Sequence, residues 1–163
     1  MFDLALYQPR IPQNVGNIAR TCVGFDTPLH VIGPSLVDLS EKKVRRAGLD
    51  YWDDLTLTEH PSPEAFLDWM EAEGRRPWLV TKFGDTRFDR AEYAAGDVLV
   101  LGSETEGLPK DWHERFADRR VHIPIPGRVR SFNVANTAAI MLAMALARAE
   151  GFPGEWEMME ERL

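Results

Sequence analysis

Short apolar runs alternate along the chain with stretches whose apolar positions recur every three or four residues. That is the pattern of an α/β fold, a single domain with a mostly parallel sheet flanked by helices. Residues 4–7 read as the first strand, and Gln13-Asn14 is expected to open a helix carrying Val15, Ile18, Ala19, Cys22 and Val23 on one side. Residues 29–32 form a second apolar run, closed by Gly33-Pro34. Ser40 is placed to cap a short basic helix that Gly48 would stop. A further helix is expected over 63–73, with Phe66, Leu67 and Met70 on one side. Residues 78–81 and 98–101 read as buried strands, each followed closely by a glycine, Gly84 and Gly102. Residues 121–125 form a last extended segment, limited by Pro124 and Pro126.

The final long helix, over 133–150, is rich in alanine. Small side chains let another backbone approach closely, so it is expected to pack deep against the sheet or across a dimer interface; alanine's helix propensity alone also accounts for the composition. The acidic tail 152–163 reads as a surface piece. With no repeat or linker in sight, residues 1–163 are expected to form one domain, a length that suits a single core.

Composition narrows the function. No apolar run approaches the ~20 residues of a membrane helix, and the N-terminus lacks a secretory leader, so a cytoplasmic protein is expected. The single cysteine, Cys22, excludes an internal disulfide, and His30, His60, His113 and His122 lack metal-ligand spacing, so no metal is expected. A net charge of −7 argues against binding nucleic acid through a broad basic surface. RNA contacts would have to come from local clusters: Lys42, Lys43, Arg45 and Arg46, or Arg128 and Arg130. Arg75 and Arg76 read better as a solvated surface.

Three segments sit where strands hand over to helices, the place where open α/β sheets bind ligands. In the first, Asn14 suits a helix cap, Gly16 permits close backbone approach, and Arg20 lies away from the apolar face. The second holds two glycines at P-loop spacing, Gly102 and Gly107. Leu108-Pro109 stand where Lys and Ser/Thr are required, and Glu104 and Glu106 would repel phosphate, so it is no nucleotide-triphosphate loop. Such a loop suits a neutral or cationic ligand, though an ordinary acidic turn has the same residues. In the third, Arg128 and Arg130 precede Ser131 and Asn133, which either cap the last helix or bond a substrate at its N-terminus. No G-x-G-x-x-G follows the first strand, which excludes a Rossmann dehydrogenase.

In this order, Asn14-x-Gly16-Asn17-x-x-Arg20, Gly102-Ser103-Glu104-x-x-Gly107-Leu108-Pro109 and Ile123-Pro124 through Arg130-Ser131-x-Asn133 resemble the three signature motifs of the SPOUT (trefoil-knot) RNA methyltransferases, in their TrmH-like 2′-O branch. The likeness spans nearly the whole chain. It implies a C-terminal deep trefoil knot, which connection rules alone would never suggest. It also implies a homodimer that uses S-adenosyl-L-methionine, releases S-adenosyl-L-homocysteine and acts on tRNA. By resemblance, Val80, Thr81, Gly102, Gly107, Leu108, Ile123 and Ser131 cradle the donor. The resemblance further implies that Arg20 is the catalytic residue, with Asn14, Glu104, Ser131 and Asn133 shaping the site, and that one subunit's Arg20 works beside the other's pocket. Arginine holds its proton up to pH about 12 or above, so engaging an RNA phosphate and stabilising the forming alkoxide suits it better than acting as a base.

The minimal length and the segment Arg45-Arg46-Ala47-Gly48-Leu49-Asp50-Tyr51-Trp52 are similar to members that methylate wobble nucleotide 34, a cytidine or modified uridine, of leucine tRNAs. The same chemistry at another tRNA or rRNA position, and a non-catalytic RNA-binding protein, are the competing readings. One departure is Ala135, where the pattern has a serine.

Overall fold

The computed structural model describes residues 1–37 and 51–149. The expected basic helix 40–48, with Lys42, Lys43, Arg45 and Arg46, and the tail 152–163 lie outside the described residues. Seven strands form one sheet: β1 (Asp3–Tyr7), β2 (Leu29–Ile32), β3 (Leu57–His60), β4 (Arg76–Val80), β5 (Thr86–Arg87), β6 (Asp97–Leu101) and β7 (Arg120–His122). Their order is β3-β2-β1-β6-β4-β7-β5, and every neighbouring pair is parallel. Among the described residues four α-helices flank it: α1 (Pro12–Gly24), α2 (Pro63–Ala72), α3 (Lys110–Arg115) and α4 (Val134–Ala149). No helix among the described residues is long and apolar enough to cross a membrane.

The central strands are apolar at successive positions because both faces of the sheet are covered. On one face Leu4, Leu6, Leu29, Leu99 and Leu101 meet Val15, Ile18 and Cys22 of α1 and Ala138, Met141, Leu142 and Ala145 of α4. On the other, Ala5, Ile32, Leu79, Val98 and Val100 meet Phe66 and Met70 of α2 and Trp112 of α3. The alanine side of α4 thus packs on the sheet and against α1.

At the N-terminal end of the strands, Asp97 is fully buried and accepts from Trp78 Nε1 at 2.9 Å, Arg76 Nε at 3.1 Å and Arg119 Nη2 at 3.0 Å. Arg75 Nη1 lies 3.4 Å from the buried Asp3 carboxylate. Arg75 and Arg76 are therefore not a merely solvated surface, as their sequence suggested: they neutralise buried carboxylates that close the end of the sheet opposite the strand C-termini.

Two boundaries differ from expectation. α1 begins at Pro12 with Ile11 as its N-cap residue, so Asn14 does not cap it. β7 ends at His122 rather than continuing to 125, since Pro124 and Pro126 have no N–H to donate to a ladder. β3, β5 and α3 were not anticipated.

Candidate active site

The C-terminal ends of β1, β4, β6 and β7 open onto a cavity of about 690 Å3, within the ~300–1,000 Å3 usual for small-molecule sites. All seven residues expected to cradle a donor line it: Val80 and Thr81 after β4, Gly102, Gly107 and Leu108 after β6, and Ile123 and Ser131 after β7. Asn14, Glu104 and Asn133 line it too.

Backbone approach sets the shape. A Cβ at Gly102 would sit 2.4 Å from the carbonyl carbon of Gly107, and Gly107 itself has a φ of +74°. Those two glycines let the loop fold back on itself, with Ser103 and Gly107 exchanging backbone hydrogen bonds of 3.1 and 2.9 Å. The connection from β4 to β5 passes tightly over β7: a Cβ at Gly84 would lie 2.5 Å from the Val121 carbonyl carbon. β7 is thereby inserted between the two strands that this connection joins.

A continuous chain of hydrogen bonds ties the three loops together. Glu104 Oε2 accepts from the Arg10 amide at 2.9 Å, and its Oε1 accepts from the Ile11 amide at 3.2 Å and Asn14 Nδ2 at 3.0 Å. Asn14 Oδ1 accepts from Asn133 Nδ2 at 3.0 Å, and Asn133 Oδ1 accepts from the Ala135 amide at 2.8 Å, capping α4. Burial pushes the Glu104 carboxyl up, but the bonds from Asn14 and the two amides outweigh it and hold the carboxyl below its usual range. Glu104 is thus a carboxylate with its acceptor sites engaged. Arg10 Nη2 lies 2.6 Å from Glu106 Oε1, offsetting part of the negative charge at the mouth.

Arg20 is exposed and does not line the cavity. Its guanidinium lies 5.6 Å from the centre of the Tyr51 ring, and the Tyr51 hydroxyl donates to the Gly16 carbonyl at 2.8 Å. Arg128 and Arg130 are exposed on the loop leading to Ser131 and do not line the cavity either. Among the described residues no group of three or more His, Cys, Asp or Glu could hold a metal ion.

Sequence reasoning missed Arg10, Ile11, Phe83, His113 and Phe132 at this site. Ile11 acts through its backbone amide, which leaves no residue-type signal, and Arg10 does so too beside its side-chain pairing with Glu106. Phe83, a lone aromatic in a polar loop just before Gly84, was the legible one.

Comparison with known proteins shows what the chain is similar to. Residues 1–143 match the SpoU rRNA Methylase family. The tRNA (cytidine(34)-2′-O)-methyltransferase of Methylovorus glucosotrophus is 40% identical over 143 residues, covering 87% of this chain and 92% of its own. A solved structure described as giving insights into the 2-OH methylation of C/U34 on tRNA superposes with a TM-score of 0.83 at 40% identity, covering 91% of this chain and 95% of its own. The SpoU methyltransferase AviRb from Streptomyces viridochromogenes, solved with AdoMet, superposes with a TM-score of 0.78 at 27% identity, over 90% of this chain and 56% of its own.

Proposed function

The chain belongs to the SpoU rRNA methylase family and is an RNA methyltransferase, and from that premise we propose that it methylates the ribose 2′-hydroxyl of wobble nucleotide 34, a cytidine or modified uridine, of tRNA, with S-adenosyl-L-methionine as donor. Leucine tRNAs are the proposed substrates, the cytoplasm the proposed location, and a homodimer of single-domain subunits the proposed working form. The observation that carries this reading is one cavity shared by the ends of β4, β6 and β7 and bound together through Glu104, Asn14 and Asn133. Its fit to the donor rests on three features. The cavity is large enough, it is walled by main chain and the apolar side chains of Val80, Leu108 and Ile123, and its carboxylates Glu104 and Glu106 outnumber its cation Lys82, which suits a sulfonium. The insertion of β7 between β4 and β5, under the connection at Gly84, supports a knotted C-terminal half.

The donor supplies an electrophilic methyl group, and the chain's contribution is to hold the sugar oxygen close and in line with it. Asn133 and Ser131 stand at the N-terminus of α4, where partial positive charge favours an anionic group. In this proposal the exposed Arg20 of one subunit engages an RNA phosphate beside the partner subunit's cavity and stabilises the forming alkoxide. Arg128, Arg130 and the 42–46 cluster hold the RNA backbone.

Incubation with methyl-labelled donor and unfractionated tRNA, followed by nucleoside analysis, tests the reading. The label is expected as 2′-O-methylcytidine or a 2′-O-methylated modified uridine at position 34. Arg20→Ala should lose turnover at least 100-fold while binding S-adenosylhomocysteine normally by calorimetry. Label on a base, on rRNA alone, or on no RNA would overturn it.

A further inference from the structure

Large apolar side chains left exposed to water are individually unremarkable, but their clustering is informative. Seven are exposed among the described residues, and three of these, Ile11, Phe83 and Phe132, line the one cavity described above. They arrive from three different loops, those following β1, β4 and β7. Phe83 is the more exposed of the two aromatics, at 64% against 38% for Phe132, and it belongs to the outer rim. Deeper in the same wall Leu108 is 9% exposed.

The Phe83 ring is held rather than loose. Its backbone amide donates to Thr81 Oγ1 at 3.2 Å, and the His113 ring meets it edge-on, 6.1 Å between centroids. Lys82 Nζ lies over one face of the ring, 5.0 Å from its centre, so a stacking base would use the opposite face. A fixed, exposed aromatic surface beside an ammonium group, at the mouth of a site that handles RNA, matches the two faces of an unpaired nucleotide: a flat base to stack and a phosphate to pair. With a net charge of −7, the chain has to meet RNA through local cations of this kind rather than a broad basic surface.

We propose that Phe83 is the platform on which an unpaired nucleobase of the RNA substrate stacks, with Lys82 pairing the adjoining phosphate. This rests on the function proposed above and adds a specificity-determining residue to it. Because the base contact is a π-face and not an edge, it selects for an unstacked loop nucleotide over a paired one and tolerates either pyrimidine.

The test separates RNA binding from donor binding and from turnover. For Phe83→Ala, the dissociation constant for tRNA by fluorescence anisotropy and the KM for tRNA should rise about tenfold, while the affinity for S-adenosylhomocysteine by calorimetry stays within about twofold. Phe83→Trp, which keeps a stacking face, should restore tRNA binding. Unchanged tRNA affinity in Phe83→Ala would overturn the assignment. So would weakened S-adenosylhomocysteine binding alone, which would give the ring to the donor's adenine, or a change in solution mass, which would make it a contact between copies. Anisotropy needs no turnover, so a wild-type chain that binds tRNA through Phe83 yet transfers no methyl group would defeat the proposed function and leave this inference standing.

Discussion

The ionised carboxylate of Glu104 can only accept hydrogen bonds, and that constraint reaches across the site to α4. Asn14 must turn its NH2 towards Glu104, so its oxygen faces Asn133 and receives that residue's NH2. The oxygen of Asn133 is left to accept from Ala135 and cap the helix. Each amide has one orientation that satisfies the chain, and it is the same from either end. Asn14→Asp would set two carboxylates against each other, and like charges at such range raise one of the two pKa values. A carboxyl whose pKa is raised by folding gives up stability as pH rises from the unfolded value, about 4, through the folded one. The melting temperature of Asn14→Asp should therefore fall below wild type by more at pH 8 than at pH 5, whereas the deficit of Asn14→Ala should be the same at both. A pH-independent deficit for Asn14→Asp would mean that Asn14 and Glu104 are not in contact. In the sequence, Asn14 taken alone reads as a helix cap, which the structure gives to Ile11, and only the family resemblance groups it with Glu104 and Asn133. A helix-start asparagine looks like a cap, and nothing local reveals an acceptor 90 positions away.

At the scale of elements, legibility followed burial. β1, β2, β4 and β6 are covered on both faces and read as continuous apolar runs. β3 and β5 are the two edge strands, and neither announces itself: Leu-Thr-Glu-His offers two polar exposed positions, and β5 is two residues long. Yet β3 brings in an energetically costly group. His60 on β3 and His30 on β2 are 6% and 3% exposed, 2.9 Å apart between Nε2 and Nδ1, and packed on Phe66 and Trp69 of α2. Burial, then the neighbouring His60 and Arg75, pushes His30 down to about 4, and burial also lowers His60. Both are neutral in the fold at pH 7, and the unfolded chain takes up protons first as pH falls below about 6.5. Stability is therefore complete above pH ~6.5 and lost progressively towards pH ~4, on the order of 3 kcal/mol from His30. Urea titrations across that window should show the slope, and His30→Leu should flatten it. An equal slope in the variant would assign the acid sensitivity to other groups.

Across the whole molecule, the three motifs share one cavity, but its mouth and the arginine proposed to be catalytic belong to different surfaces. Arg20 lies six residues beyond Asn14 on α1, about 9 Å along the helix axis, and its guanidinium rests over Tyr51 rather than in the cavity. A lone subunit thus holds the proposed donor pocket and Arg20 apart. In the proposed dimer the two-fold axis would let each arginine serve the other subunit's pocket, and mixing two inactive variants tests this directly. Arg20→Ala keeps its pocket, while Thr81→Trp fills the cavity and keeps its arginine. Random assembly gives about half mixed dimers, and in each of these one site combines an intact pocket with the partner's intact Arg20. Co-refolded variants should therefore recover about a quarter of wild-type activity if the site is shared, whereas a site made within one subunit recovers none. An inactive mixture, with mixed dimers verified by two affinity tags, would return Arg20 to its own subunit's cavity and require the Tyr51 contact to break during turnover.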